Sequence, residues 1–224
     1  MSYTLIYAQV WGHLPYLLAG AWLSLQLAVI SFVVGAAIGL SNALVLRYAT
    51  GAARWPVVAY VTFFINTPLL VQVFFLFFVL PDMGILLSPY VAVAIGMSLN
   101  AGAYLTEIMR AGLASLRRAE IDAASAMNFS GPQMLWLVVL PHIVKALYPA
   151  LSNQFIIQVM TTSIAAIFAV EELTGRAYNI NSLTFRSFEV FSIVAVIYVG
   201  LTLLCSLALA LLGRWLFRVK ARLV

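Results

Sequence analysis

Charge is what this chain has least of. Only 8% of its 224 residues are charged, 12 basic and 7 acidic, against 64% hydrophobic. A water-soluble domain carries roughly a quarter charged residues, so a cytosolic globular enzyme is excluded. The basic residues are too few to form the face that nucleic acid requires. Cysteine is nearly absent: the single Cys205 cannot make an internal disulfide, and no cysteine cluster exists to hold a metal. It stands between Leu204 and Ser206 in an apolar run, where packing suits it. Nothing basic precedes the first apolar stretch, so the N-terminus does not read as a cleaved leader. Also lacking are Gly-x-Ser-x-Gly, His-Glu-x-x-His and any paired intramembrane aspartates, which leaves an intramembrane enzyme without reacting groups.

Long uncharged runs fill the space that charge leaves. A spanning helix needs about 20 apolar residues, and five runs qualify: 17–44, 55–81, 83–106, 146–170 and 190–213. The expected fold is therefore an all-α integral membrane protein, one domain over 1–224 with about five transmembrane helices. Five crossings place the termini on opposite sides. Arg47, Arg54, Arg110, Arg117, Arg118, Lys145, Arg214, Arg218, Lys220 and Arg222 fall on one side, and only Arg176 and Arg186 on the other. Arg and Lys collect in cytoplasmic loops, which puts the N-terminus outside and the C-terminus and the 117–145 segment in the cytoplasm. The basic tail 214–222 is a stop at a negatively charged inner leaflet. The outer side is lightly acidic through Asp82, Glu171, Glu172 and Glu189. Most of it is one loop, 171–189, either a docking element or a solvated connection. Trp11, Tyr16, Trp55, Tyr90 and Trp215 fit an interfacial aromatic belt. No repeat stands out, so a sealed pathway favours two subunits meeting at an interface.

The mixed segment 117–141 predicts two short helices. The first covers 119–127, with Glu120 and Asp122 in its first turn, where a helix N-terminus favours negative charge. It ends at Asn128, which tolerates the left-handed conformation of helix ends. Ser130 is an N-cap and Pro132 suits the next first turn, and that second helix stops before Pro141. Such a helix–turn–helix either offers Ala123 and Ala124 as a knob for another protein's groove or lies as an amphipathic connector on lipid.

Polar residues at bilayer depth are costly and face protein or water. Gln154, Gln158, Thr161 and Thr162 recur at i, i+4, i+7 and i+8, and Ser163 extends the cluster. Asn66 and Thr67 precede Pro68, which removes a backbone donor and frees a carbonyl. These residues read either as a ligand pathway or as interhelical hydrogen bonds. Glu107 and Arg110 are spaced to pair with each other. His142 reads as structural, and His13 is too isolated for a metal site.

The 117–141 segment resembles the "EAA" loop of ATP-binding-cassette importer permeases. Asp122-Ala123-Ala124, Asn128, Val138 and Leu140-Pro141 fall at the spacing of that loop's Glu-Ala-Ala, Gly, Ile and Leu-Pro. Three further stretches are similar to the polar amino-acid branch of that family: 63–72 around Asn66-Thr67-Pro68, 103–112 around Glu107 and Arg110, and Thr162-Ser163 followed by Glu171-Glu172-Leu173. The resemblance covers roughly 17–220. It implies a permease subunit of an ATP-driven importer in the bacterial inner membrane, carrying polar amino acids or related small solutes. A cytoplasmic ATPase dimer, holding ATP and Mg, would grip Glu120, Asp122, Ala123, Ala124, Asn128 and Pro141, with no cofactor bound by this chain. Asn66, Thr67, Gln154, Gln158, Thr161, Thr162 and Ser163 would line the substrate pathway, fed by an extracytoplasmic solute-binding protein. This chain has Asn66 where the family has Arg, and Met160-Thr161 where it has Lys-Asp or Lys-Asn. That favours a heterodimer whose second permease subunit carries the charged half, over a homodimer with a less charged substrate. A self-sufficient secondary transporter or channel is the alternative, and it leaves the cytoplasmic segment unexplained.

Overall fold

The computed structural model describes residues 4–115 and 118–217. Arg117, Arg218, Lys220 and Arg222 of the charge count lie outside the described residues. After a single turn, α1 (Ala8–Trp11), the chain enters α2 (Leu14–Tyr48), 35 residues long with Pro15 in its first turn. Proline serves there because the first-turn N–H has no partner in any case. The buried positions of α2 include Gly20, Ser24, Ala28, Ser31, Gly35, Gly39 and Ala43, a run of small residues about four apart. Helices in lipid lack a hydrophobic drive to associate, so small residues that let backbones approach define their contacts. The upper part of this stripe meets α5 (Pro89–Ser115) in the most extensive helix pairing of the chain. A Cβ on Gly39 would sit 2.8 Å from Leu105 Cβ and 2.9 Å from its carbonyl carbon.

Among the described residues four helices are long and apolar enough to cross a membrane: Leu14–Tyr48, Pro89–Ala114, Val144–Phe168 and Ser187–Phe217. The second expected run, 55–81, is not one straight span. It forms α3 (Trp55–Asn66) and α4 (Leu69–Phe74), and the segments Gly51–Asn66 and Leu69–Met83 meet at 108°. The cause is Pro68, which cannot donate to the carbonyl four residues back and forces Thr67 out of the helical region, to φ −116° and ψ 139°.

Beyond α5 come α6 (Arg118–Ala126), α7 (Gly131–Met134), a π turn over Leu135–Val139 and α8 (Leu140–Thr161). The expected stop before Pro141 does not occur. Leu140 N–H donates to Leu135 across five residues, and this wider turn places Pro141 in the first turn of α8, where no donor is missed. A tight turn over Thr162–Phe168 follows, then α9 (Leu173–Thr184) and α10 (Ser187–Phe217).

The expected loop 171–189 is thus mostly helix, and two of its three acids are not at the surface. Glu172 and Glu189 are fully buried. Glu172 caps α9 by accepting from Gly175 N–H, and Glu189 accepts from Ile6 N–H at 2.9 Å. A buried carboxylate needs such donors. Three apolar clusters run along the bundle. Leu17, Leu173, Ile180 and Val190 hold one end, Leu27, Val73, Met97 and Phe168 the middle, and Ala43, Met109, Leu113 and Val139 the other end. Helix α10 is the least enclosed span, with Val196, Leu203, Leu204 and Leu207 exposed.

Candidate functional site

Pro68 has no N–H for the Phe64 carbonyl, and two amide side chains replace it. Gln72 Nε2 donates to Phe64 O at 3.0 Å, to Thr67 O at 3.0 Å and to Thr67 Oγ1 at 2.8 Å. Asn100 Nδ2, from α5, donates to Phe64 O at 3.3 Å and to Gln72 Oε1 at 3.2 Å. At membrane depth every backbone group needs such a partner. The break is therefore a built element, sewn to α5.

Beside it opens a recess of about 600 Å³. Asn66 and Thr67 line it from the break, Asn100 and Tyr104 from α5, and Gln154, Gln158 and Thr161 from α8. Its lining contains no charged side chain. Asn66 and Thr67 also satisfy their own helix, donating to Thr62 O at 2.7 Å and Phe63 O at 2.8 Å. Gln158 has two duties: it lines the recess while Nε2 donates to Ser31 Oγ at 2.9 Å and Met97 O at 3.4 Å, tying α8 to α2 and α5. Thr162 and Ser163 are not in the recess. At 100° per residue Thr162 stands about 80° round the helix from Gln154. It is fully buried and donates to Val159 O at 2.7 Å, and Ser163 donates to Met160 O at 3.0 Å.

The 118–141 residues form a second feature. Asn128 has φ +56°, its N–H donates to Ser125 O at 2.9 Å, and Phe129 N–H donates to Ala124 O at 3.2 Å. Those two bonds close a helix C-terminus around a left-handed residue. Ser130 and Gln133 then cap each other's backbone N–H groups at the start of α7. Asp122, Ala123 and Pro141 are exposed, whereas Ala124 is 4% exposed and faces its own protein. Glu120 lies with Oε2 3.3 Å from His142 Nδ1. Glu107 and Arg110 pair at 2.5 Å.

At the other end of the bundle Glu172 gathers Ser24 Oγ at 2.9 Å, Tyr198 OH at 3.0 Å and Gly175 N–H at 2.9 Å. Burial pushes its carboxyl above the ordinary carboxylate range, against these hydrogen bonds, which favour the anion. Residues 35–218 match the family described as binding-protein-dependent transport system inner membrane component. The chain belongs to that family. This permease, a multi-pass inner-membrane protein, is 31% identical over 212 residues to the glutamine transport system permease protein GlnP of Escherichia coli, covering 93% of this chain and 96% of that one. It is 32% identical over 224 residues to the octopine transport system permease protein OccM of Rhizobium meliloti, with 95% and 91% covered. Among solved structures it is similar to that of an amino acid ABC transporter with histidines: TM-score 0.85, 28% identity, 95% and 99% covered. An inward-facing MetNI methionine ABC transporter, at 21% identity and a TM-score of 0.75 over 90% and 96% of the two chains, shares the fold.

Sequence reasoning about the permease passed over three sets of residues that the structure makes prominent. Gln72, four residues after Pro68, is an amide in apolar surroundings beside a proline break, which is signal enough to nominate it, whereas Asn100 comes from another helix. The small-residue stripe of α2 was readable as a period of four. Glu172 reads from the sequence as a gate, docking or solvated group where the fourth helix emerges, and the structure buries it. An acid directly before the first turn of a helix is an N-cap pattern, and that would have pointed to its position.

Proposed function

We propose that this permease forms one half of the translocation pathway of an ATP-driven importer for polar amino acids or related small solutes. The observation that carries the reading is the neutral polar recess at the broken pair, lined by amides and hydroxyls from three segments. Discontinuous helices expose backbone and side-chain polar groups where a solute must be held inside a membrane. The names of the relatives, glutamine and octopine permeases, support an amino-acid-like solute. With no charge in the recess, the ammonium and carboxylate of a zwitterion are met by a second, homologous permease subunit, so a heterodimer is favoured. An extracytoplasmic binding protein delivers the solute. The N-terminus lies outside and the C-terminus in the cytoplasm, in keeping with the excess of Arg and Lys on one side.

A separate cytoplasmic ATPase dimer, which holds ATP and Mg, drives the cycle by gripping α6 and α7. Asp122 and Ala123 present the contact surface, Glu120, Asn128 and Pro141 shape it, and Ala124 acts by seating α6 against this chain. Gln154, Gln158, Thr161, Asn66 and Thr67 serve the pathway, and Thr162 and Ser163 support the tight turn behind it. The test is ATP-dependent uptake of a panel of radiolabelled amino acids in proteoliposomes holding the co-purified membrane and ATPase subunits. Uptake that requires ATP and falls at least tenfold in Gln154→Leu/Thr161→Val is expected. Uptake by this chain alone without ATPase would refute the reading, and a single membrane species in the active complex would refute the heterodimer.

A further inference from the structure

A second cleft, of about 510 Å³, runs between α8 and α10, with no lining residue in common with the polar recess. The two helices are antiparallel there: Tyr148 near the start of α8 packs against Gly213 and Phe217 near the end of α10, and its hydroxyl donates to the Leu209 carbonyl. The tyrosine wedge holds the helices apart. Pro149, Ile156, Leu209 and Ala210 give the cleft apolar walls, and Lys145 and Arg214 line it toward the start of α8 and the end of α10. Both cations are exposed. The described part of α8 carries no acidic residue, and that of α10 carries only Glu189, at the opposite end. Glu120 is engaged with His142 and Glu107 with Arg110. Inside the cleft, Ser152 Oγ is buried without a hydrogen-bond partner among the described residues. Pro149 in addition cannot donate to the Lys145 carbonyl one turn back.

Two cations at the polar end of an apolar groove, with a buried hydroxyl partway along it, match the layout of a phospholipid. We propose that the α8–α10 cleft binds an anionic phospholipid, its phosphate between Lys145 and Arg214 and one acyl chain along the apolar walls. Basic clefts between membrane helices are suited to anionic headgroups. A small free anion would satisfy the cations and leave the apolar walls uncovered, so the lipid is the occupant the whole cleft fits. Helix α10, the least enclosed span, thereby gains a companion along its bare flank.

The test is native mass spectrometry of the purified complex in neutral detergent, supplied with phosphatidylglycerol or with phosphatidylcholine of the same acyl chains. The wild type is expected to retain phosphatidylglycerol in preference to phosphatidylcholine. Lys145→Gln/Arg214→Gln is expected to weaken that retention roughly thirtyfold, at about fivefold for each cation near an anionic headgroup. The charge-conserving pair Lys145→Arg/Arg214→Lys should keep it. If the glutamine variant does not elute as a folded complex, Ala210→Phe, which fills the cleft and leaves the charges, should lower the retention instead. Equal retention of the two lipids, or unchanged phosphatidylglycerol retention in the glutamine variant, would overturn the assignment. So would crosslinking of Ser206→Cys to a second membrane subunit with no lipid bound.

Discussion

Replacing Glu172 tests how a carboxylate is kept inside this bundle. In Glu172→Ala, two of the three donors have alternatives. Ser24 Oγ already lies 3.2 Å from Gly20 O, and Tyr198 OH lies 2.8 Å from Thr174 Oγ1. Only Gly175 N–H, 2.9 Å from Glu172, is left without an acceptor. An orphaned buried N–H costs about 1–3 kcal/mol, a range that already contains the roughly 1 kcal/mol of a lost N-cap because the bond is the same, so the alanine variant should lose about 1–3 kcal/mol. Glu172→Gln keeps an oxygen for Gly175 and turns its amide toward two hydroxyls able to accept. It should stay within about 1 kcal/mol of wild type. The pH response separates the two further. Because burial holds the folded-state pKa above the ordinary value, the folded state binds the extra proton in the interval between them. The stability from that proton is fully present below the unfolded-state value of about 4.3 and is lost as pH rises through the folded value. Denaturant unfolding in lipid nanodiscs, run across that interval, should show stability falling with pH in wild type, with the Glu172 contribution to the slope removed in Glu172→Gln. A glutamine variant as weak as the alanine one, or an alanine loss under about 1 kcal/mol, would refute the hydrogen-bond account.

Three further outcomes are expected from the same unfolding assay. Gly39→Val forces α2 away from the Leu105 backbone and should cost about 3 kcal/mol, whereas Gly12→Ala, with nothing within 4 Å of the added carbon, should be neutral. Gln72→Leu leaves Phe64 O with the 3.3 Å Asn100 contact alone and should cost about 2 kcal/mol. Asn128→Gly should be neutral or stabilising, and Asn128→Val should cost about 1–2 kcal/mol at φ +56°.

The positions where the chain breaks were legible because Pro, Asn and Ser act locally. Pro68 marks the discontinuity, Asn128 takes the left-handed turn and Ser130 caps α7. What those breaks lead to was not legible. The 108° bend that Pro68 starts is held by Gln72 and by Asn100 from a different helix, so the sequence near Pro68 contains only part of it. Pro141 looked like a terminus because proline usually is one. The π turn that absorbs it needs apolar packing of Val139 against Met109 and Leu113, a tertiary matter. The inward face of α6 carries Ile121 and, three residues on, Ala124, which is too small to announce itself. Thr162 was grouped with the recess by counting alone, although its 80° offset already placed it at the stripe's edge.

Because the π turn carries Pro141 without interrupting the backbone, residues 131–161 form one helical run, with Pro149 in its interior. At about 1.5 Å per residue it is about 45 Å long. Met134, Leu135, Leu147 and Leu151 pack it against Ala43 and Met109 in its first two-thirds. The far end holds Gln154 and Thr161, so a tilt of this helix would move the wall of the recess.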